Sequence, residues 1–302
     1  MKSVSLFKNA TDMCYTLHKK YNLIYTPYTH FDIFLVNYCN LNCKWCSRWC
    51  NVVKHRQIYK TEDIIRDTLN ICSNVNANYI GYNGGEPLLH PDIIELVKFL
   101  GELHRCFNVK THILTNGKKI LSMSDDFFKA VRENHVTISY TQYPESSGIK
   151  YDEIFKRLDD EQIKYSANSV LWGLPKGFVT ETFCATRYTL DKSTDHSHDR
   201  VFYLSCPRVC PSLWQGKLYK CCNTPFIDTL NDNCNTDFEI IENDDYLKIE
   251  NIKSNKQLAK WYSEPSHFCS TYCVNSDIEK HFVPWSTGTN TAEELIIPSK
   301  LN

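Results

Sequence analysis

The 302-residue sequence lacks a long apolar run, a long basic run and any marked excess of one charge. Its amino terminus has no unbroken apolar stretch of signal-peptide length, and no segment is long and apolar enough to span a bilayer. Lysine and arginine total 34, against 35 for aspartate and glutamate, so we expect neither nucleic acid nor a membrane as a partner. These absences predict a cytoplasmic protein.

Internal repeats and low-complexity linkers are absent too, and the length allows one or two domains with a sizeable core. Cysteine, in contrast, is abundant, with 15 residues. Because cytosolic thiols are kept reduced, metal ligation explains this surplus better than disulfide bonding. Isolated cysteines such as Cys14, Cys72, Cys106 and Cys184 are expected to be small buried hydrophobes.

From about residue 31 the sequence alternates short apolar runs with helical patterns, which predicts β/α units on a parallel sheet. Strands are predicted over 31–36, 78–82, 109–115, 135–140 and 164–171, with a candidate sixth strand over 178–182. Helices are predicted to begin near Thr61, Pro91 and Ser124, and a fourth covers 151–158. After about residue 172 this pattern breaks, and the tail after Val283 has an irregular pattern.

The densest cysteine motif follows the first predicted strand, where Cys39, Cys43 and Cys46 fall within eight residues. A [4Fe–4S] cluster normally takes four thiolates, so three thiolates in one loop would leave one iron open to a small molecule. A zinc knuckle is the alternative, because a two-residue gap is common at structural zinc sites. Cys50 complicates the choice, since it follows Cys46 after a three-residue gap.

A glycine motif, Gly84, Gly85, Glu86 and Pro87, lies about 40 residues further on, at the end of the second predicted strand. Glycines let backbone amides approach a charged ligand closely. Alone, the motif would be interpreted as a tight turn. Its place at a strand end, downstream of three cysteines, favours ligand binding, because parallel α/β sheets bind ligands at the carboxyl ends of their strands.

The cysteine spacing, the aromatic Trp45 before the last cysteine and the glycine motif resemble the signature of radical S-adenosylmethionine (SAM) enzymes. The resemblance covers roughly residues 31–170 and implies a partial (β/α)6 barrel. It implies that Cys39, Cys43 and Cys46 hold a [4Fe–4S] cluster with an open iron site. It also implies SAM as the molecule that binds the open iron.

The same resemblance implies which residues contact SAM. The predicted cofactor-binding residues are Trp45, Gly84, Gly85, Glu86, Thr115, Asn116 and Ser139. Glu86 is placed to accept a hydrogen bond from the methionine ammonium group, and Trp45 fits an adenine-stacking role. Ser139 matches the position of a hydroxyl that contacts the ribose or the carboxylate, although serine at a strand end is also ordinary turn chemistry.

A second cysteine-rich region runs from Cys206 to Cys273 and resembles the twitch and SPASM cluster domains of radical SAM enzymes. In that resemblance Cys210, Cys221, Cys269 and Cys273 hold an auxiliary [4Fe–4S] cluster, and Gly216 turns the chain between the first two. Four thiolates leave no open iron and suit electron transfer. Structural zinc is the alternative.

The sequence does not decide which cysteines of this region are the cluster ligands. The last pair has a three-residue gap where the twitch pattern usually has two. Cys206 and Cys222 compete with Cys210 and Cys221 for ligand roles, and Cys234 is a spare. The motifs divide the chain into a predicted extension (1–30), a partial barrel (31–200), an auxiliary cluster domain (201–283) and a tail (284–302).

The resemblance implies an oxidoreductase that cleaves SAM reductively to a 5′-deoxyadenosyl radical, which abstracts a substrate hydrogen. A second cluster could accept the next electron, so that proton loss and one-electron oxidation complete a two-electron dehydrogenation. Similarity to uncharacterised radical SAM proteins associated with surface-polysaccharide biosynthesis favours a small carbohydrate substrate. A reductase, flavodoxin or ferredoxin is the expected electron donor.

Two alternatives remain at this level. A peptide maturase, forming thioether or carbon–carbon crosslinks or oxidising a sulfatase residue, is the main one, although about 30 residues before the first strand are few for a peptide-recognition domain. A non-catalytic electron carrier or zinc scaffold is the other, and SAM cleavage would exclude it. The candidates for a catalytic base are His90, Lys110, His112, Tyr140, Tyr143 and Arg187, and none is preferred.

Overall fold

The computed structural model describes residues 30–167, 184–186, 190–191, 210–273 and 282–297. Its strands are β1 (His30–Phe34), β2 (Tyr79–Asn83), β3 (Lys110–Thr115), β4 (Thr137–Tyr140), β5 (Tyr165–Ala167), β6 (Cys184–Thr186), β7 (Leu190–Asp191), β8 (Ser212–Trp214), β9 (Lys217–Tyr219), β10 (Tyr246–Lys248), β11 (Phe282–Pro284) and β12 (Ile296–Ile297). Its helices are α1 (Thr61–Asn74), α2 (Ile93–Phe107), α3 (Asp125–Glu133), α4 (Tyr151–Asp160), α5 (Ile227–Cys234), α6 (Asn255–Tyr262), α7 (His267–Tyr272) and α8 (Ala292–Leu295).

Eight strands form one sheet in the order β10, β9, β8, β1, β2, β3, β4, β5. The strands from β8 to β5 run parallel, and β9 and β10 add antiparallel pairings at one edge. Among the described strands, β10 and β5 are free edges, so the sheet is open. This confirms the predicted α/β class and partial barrel.

The two faces of the sheet differ, because side chains alternate along each strand. One face packs on the helices, as the hydrogen bond from the Tyr82 hydroxyl to the Leu96 carbonyl in α2 indicates, at 2.9 Å. The opposite face, which we call the polar face, carries Asp32, Asn83, His112, Ser139, Ser166 and Ser212 in matching registers. Polar residues in the middle of a sheet need hydrogen-bonding partners, and a bound polar molecule can supply them.

The local predictions hold where the signals are local. The first five predicted strands are present, each shifted or shortened by a few residues, and the sixth, over 178–182, lies outside the described residues. The four predicted helices are present as α1 to α4. Ser124 accepts a hydrogen bond from the backbone of Phe127 at 3.3 Å, which is the expected capping contact at the start of α3.

Two features of the carboxyl-terminal half depart from the predicted layout. The turn at Gly216, with φ of 77°, joins β8 to β9 as predicted, but β8 pairs with β1 and thus belongs to the main sheet. The described part of the tail after Val283 contains two short regular elements, α8 and β12, where an irregular segment was predicted. In the part of the chain that the structure describes, no helix has the length and apolarity needed to cross a bilayer.

Candidate active site

The loop after β1 brings the three predicted ligands Cys39, Cys43 and Cys46 close together. Burial raises the pKa of the Cys39 thiol, and the nearby Cys46 and Cys43 raise it further, so the three sulfurs lie within electrostatic range of one another. Burial also raises the pKa of Cys43, to about 11. The Cys39 and Cys43 thiols therefore resist ionisation without a positively charged partner.

Cys50 is the fourth thiol of this loop. It hydrogen-bonds to Cys46, and this bond is the main reason why the pKa of Cys46 is lowered. The same bond is the first cause of the raised pKa of Cys50. Cys50 therefore stands beside Cys46 as a neutral hydrogen-bonding partner of a thiolate.

Glu86 is the centre of a buried network that reaches the cysteine loop. One carboxylate oxygen accepts hydrogen bonds from the Thr115 hydroxyl at 2.7 Å and the Leu88 amide at 3.1 Å. The other accepts from the Asn116 amide at 2.9 Å. Burial raises the pKa of Glu86 to about 7, although these hydrogen bonds lower it. The structure thus brings together three of the predicted SAM contacts. Much of the hydrogen-bonding capacity of the Glu86 carboxylate is already satisfied by groups of the protein.

The Asn116 side chain extends this network to the first thiol. Its amide nitrogen lies 3.4 Å from the Cys39 sulfur and 2.7 Å from the Asn40 side-chain oxygen. Amide donors stabilise thiolates and the sulfurs of iron–sulfur clusters. Asn116 therefore connects Glu86 to the metal-ligand candidates, binding Glu86 through its backbone amide and Cys39 through its side chain.

Gly84 and Gly85 pack against the backbone that leads into the cysteine loop. Gly84 has φ of 115°, and a Cβ there would lie 2.8 Å from the Val36 carbonyl oxygen. A Cβ on Gly85 would overlap the Tyr38 carbonyl. The Gly85 and Glu86 amides donate to the Val36 and Tyr38 carbonyls at 2.8 and 2.9 Å. These two amides therefore join the glycine motif to the loop. The prediction for this motif was instead that its backbone amides approach a charged ligand.

The remaining predicted SAM contacts lie at two places. Trp45 is in the cysteine loop with φ of 60°, and its amide donates to the Asn290 side chain at 2.8 Å. Ser139 lies on β4, with its hydroxyl 3.5 Å from that of Ser166 on β5. The structure does not bring Ser139 into contact with the Glu86 network through any hydrogen bond described for it.

The polar face contains a cluster that the sequence analysis did not single out. Asp32 accepts a hydrogen bond from the Asn83 amide at 2.6 Å, and its other oxygen lies 3.6 Å from Nε2 of His112. The His112 ring covers Gly81, which has no room for a side chain. A lone acidic residue inside the apolar run 31–36 was the signal that could have identified Asp32.

The cysteines of the second region come from several elements of the fold. The Cys210 thiol lies 3.5 Å from an Asp32 oxygen, which places it at the polar face. Cys222 is buried and lies within electrostatic range of Cys210, since it contributes to the raised pKa of the Cys210 thiol. Cys269 is in α7, where the Ser266 hydroxyl accepts a hydrogen bond from its amide at 3.2 Å. Cys206 lies outside the described residues, so its competition with Cys210 stays open.

Arg48 lies between the two cysteine regions. Burial alone would lower the pKa of its guanidinium, but Cys222 and Cys46 raise it above the ordinary value. These two thiols belong to different regions, so one cation faces both. Within the described residues, the buried Nε of Arg48 has no hydrogen-bond partner.

The surroundings of the thiols fit a negatively charged iron–sulfur cluster. The indole nitrogen of Trp285 is buried and lies against Cys43, where its hydrogen bond to the sulfur lowers the pKa of the thiol. Together with Arg48, it gives two buried donors next to predicted ligands, and cluster sulfurs accept hydrogen bonds. In the described parts of the chain, no three histidine, cysteine, aspartate or glutamate side chains are grouped to hold a single metal ion.

Comparisons with known proteins place the sequence in context. Residues 33–168 match the model of the Radical SAM superfamily. The "Molybdenum cofactor biosynthesis protein 1" of Dictyostelium discoideum is 28% identical over 227 residues, covering 70% of this chain and 33% of that protein. A "Probable GTP 3′,8-cyclase" of Pyrococcus abyssi is 30% identical over 104 residues, covering 34% of this chain and 32% of that protein. The chain thus spans about a third of the length of both relatives.

Two solved structures align with this chain at low similarity. BtrN, in complex with AdoMet and 2-DOIA, gives a TM-score of 0.44 at 14% identity, covering 85% of this chain and 96% of that chain. SuiB of Streptococcus suis gives 0.39 at 20% identity, covering 52% of this chain and 36% of that chain. Both identities are too low to indicate a shared substrate.

Proposed function

We propose that this chain, whose residues 33–168 match the model of the Radical SAM superfamily, cleaves SAM reductively and oxidises a small sugar-type substrate by two electrons. The observation that carries the proposal is the continuity of the site. Glu86, Thr115 and Asn116 form one hydrogen-bonded network that ends at the sulfur of Cys39. The residues expected to bind SAM and the residues expected to bind the cluster are therefore parts of one structure.

Cys39, Cys43 and Cys46 would hold the [4Fe–4S] cluster, which when bound supplies the electron for reductive cleavage of SAM. Asn116 would donate to the first thiolate, and Trp285 and Tyr143 lie against Cys43, where they lower the pKa of its thiol. A flavodoxin, a ferredoxin or a reductase is the proposed source of electrons, and the cytoplasm remains the predicted location.

The polar face is the proposed substrate surface. Carboxylate, imidazole and hydroxyl groups hydrogen-bond well to the hydroxyls of a sugar, and Asp32, His112 and Ser139 supply one of each. Burial lowers the pKa of His112, so its imidazole is neutral near pH 7 and can accept a proton. The Asp32 carboxylate, 3.6 Å away, stabilises the imidazolium that results. We therefore assign proton removal from the substrate to His112.

The second region is the proposed place for an auxiliary [4Fe–4S] cluster that takes the next electron. Cys210 stands at the polar face, close to the proposed substrate surface. The other ligands are Cys269, Cys273 and one of the adjacent pair Cys221 and Cys222. The proximity of Cys222 to Cys210 favours Cys222 as this ligand, whereas the spacing of the twitch pattern favours Cys221.

A second candidate reaction is cyclisation of a nucleotide, because the Pyrococcus abyssi relative is named as a probable GTP 3′,8-cyclase. The reconstituted enzyme is incubated separately with GTP, with a panel of aminated and neutral sugars, and with cysteine-containing peptides. The products distinguish nucleotide cyclisation, sugar oxidation and peptide maturation. Substrate-dependent consumption of SAM with an oxidised sugar product supports the proposal. A cyclised nucleotide or a modified peptide overturns its substrate class.

The deciding experiment measures iron, sulfide and zinc per chain after anaerobic reconstitution, together with 5′-deoxyadenosine formed from SAM under dithionite. Two clusters predict about eight irons in the wild type and about four when Cys39, Cys43 and Cys46 are all replaced by alanine. About four irons falling to none, with zinc retained, would indicate a single cluster and overturn the auxiliary site. Cys106→Ala is the matched control, and 5′-deoxyadenosine formation by the triple variant would overturn the proposed function.

His112→Gln tests the proton-removal step separately. The variant should release 5′-deoxyadenosine without substrate as the wild type does, since no SAM contact changes. Its substrate oxidation should fall by about a hundredfold or more, the usual contribution of a general base. Equal oxidation rates in the two proteins would contradict the assignment.

A further inference from the structure

The segment 285–295, which we call the carboxyl-terminal strap, lies along the cysteine loop and pairs with its backbone. The Lys44 amide donates to the Ser286 carbonyl at 2.9 Å, and the Gly288 amide donates to the Asn42 carbonyl at 2.9 Å. Between these bonds, Cys43 and Thr287 form an antiparallel bridge. A predicted ligand is thus held in a two-stranded pairing with a segment from the other end of the chain.

Asn290 adds side-chain bonds to this pairing. Its side-chain oxygen accepts from the Trp45 amide at 2.8 Å and from the Asn51 amide group at 2.6 Å. Its nitrogen donates to Glu294 at 3.1 Å, and Glu294 forms an ion pair with Lys44 at 2.8 Å. Asn290 is only 4% exposed, so its own bonds to Trp45 and Asn51 are largely shielded from solvent. One side chain therefore holds the loop on both sides of Cys46.

The loop needs such support because its backbone is strained. Asn42, Trp45 and Trp49 have positive φ values of 33°, 60° and 55°. Left-handed backbone is unfavourable for residues with a Cβ, above all for tryptophan, and persists only where surrounding contacts fix it. Strap contacts fall on two of these residues, since Gly288 binds Asn42 and Asn290 binds Trp45.

We propose that Asn290 is a positioning residue for the metal centre, because its bonds to Trp45 and Asn51 hold the strained backbone on both sides of Cys46 in place. The inference rests on the proposed function, since it assumes that Cys39, Cys43 and Cys46 bind a cluster. It makes the carboxyl-terminal strap part of the site, although it contributes no ligand.

The test compares the anaerobically reconstituted full-length wild type with Asn290→Ala. We expect iron loss to a chelator to become about tenfold faster in the variant, the effect of losing one to two buried hydrogen bonds. We also expect a changed electron paramagnetic resonance signal of the reduced cluster, which general destabilisation would not produce. Asn255→Ala is the matched control, because Asn255 is equally buried and accepts a hydrogen bond from the Asn76 amide at 2.8 Å, with no described contact to the cysteine loop.

A charge swap keeps the inference testable if Asn290→Ala does not fold. Asn290→Asp retains an acceptor for Trp45 but sets two carboxylates against each other, so it should lose iron quickly. The double variant Asn290→Asp/Glu294→Gln restores a donor–acceptor pair and should return to within about threefold of the wild type. The inference is overturned if Asn290→Ala and Asn255→Ala lose iron equally fast with unchanged spectra, or if the double variant shows no recovery. A wild type that binds no iron would instead overturn the proposed function.

Discussion

The two cysteine regions are both predicted to hold an iron–sulfur cluster, but their predicted ligands are arranged differently in the fold. In the first, three thiols share one loop, and a hydrogen-bond network and the carboxyl-terminal strap hold that loop from two sides. In the second, the predicted ligands come from separate elements, with Cys210 at the polar face and Cys269 in α7. The contrast teaches that spacing alone identifies a site built within one loop, whereas a site built from several segments depends on long-range packing.

Replacing one cysteine of each region by alanine should have the largest effect of the changes considered and should distinguish the functions of the two sites. Cys43→Ala is expected to reduce 5′-deoxyadenosine formation to background, because a predicted ligand of the open cluster is lost. Cys269→Ala should retain most of this cleavage and lose the oxidised product, because only the proposed auxiliary site is damaged. Anaerobic assays of both products decide, and loss of SAM cleavage in both variants would mean that the regions form one functional unit.

Gly85→Ala should destabilise the backbone that packs against the first cysteine loop without altering any thiol. Its Cβ would overlap the Tyr38 carbonyl, so the backbone must move, at a cost of about 3 kcal/mol or more in free energy of unfolding. Urea denaturation measures this. Gly148→Ala is the control, because Gly148 has φ of 70° but no heavy atom near the added methyl group, and about 1 kcal/mol is expected. Equal losses would contradict the close packing at Gly85.

Glu86→Gln should change how stability depends on pH. The pKa of Glu86 is raised from 4.5 to about 7, mainly by burial, so between these values the folded protein keeps a proton that the unfolded chain releases. The stability contributed by this proton is present below pH 4.5 and lost as the pH rises through about 7.

In the glutamine variant this loss is absent. Between the two pKa values of Glu86, the difference between the unfolding free energies of wild type and variant should therefore change by up to about 1.4 kcal/mol per pH unit. Urea denaturation at pH 5, 6 and 7, on the metal-free proteins, provides the measurement. Parallel curves for wild type and variant would show that Glu86 stays ionised throughout.

Lys44→Met should have the smallest effect. The ion pair between Lys44 and Glu294 joins the cysteine loop to the strap at 2.8 Å, but both side chains are about a third exposed, at 30% and 33%. Such pairs contribute about 0.2–1 kcal/mol and are screened by salt. Thermal unfolding at low and high salt should therefore differ between wild type and variant only at low salt. A salt-independent difference would point to the packing of the lysine stem instead.

Much of the fold could be predicted from the sequence, because its signals are local. The alternation of apolar runs and helical patterns identified β1 to β5 and α1 to α4, and Ser124 marked the start of α3. The first cysteine loop and the glycine motif were also visible as short patterns. Both the ligand set and the reaction remained predictions at that level.

The remaining features depend on contacts between distant parts of the chain. The pairing of β8 with β1 joins Ser212 to Asp32, and nothing in either short segment indicates its partner. The polar face was missed because it becomes visible only when the strands are in register. The carboxyl-terminal strap was interpreted as an irregular tail, since its pairing with the cysteine loop leaves no periodic pattern in 285–290.

The bond between Trp45 and Asn290 also orders events during synthesis. The two residues are 245 positions apart, so a ribosome adding about 5–20 residues per second completes Asn290 on the order of tens of seconds after the cysteines emerge. During that interval the loop lacks the strap contacts to its left-handed residues Asn42 and Trp45. If the three cysteines bind a cluster, we expect the loop to reach its final conformation only after residue 290 has been synthesised.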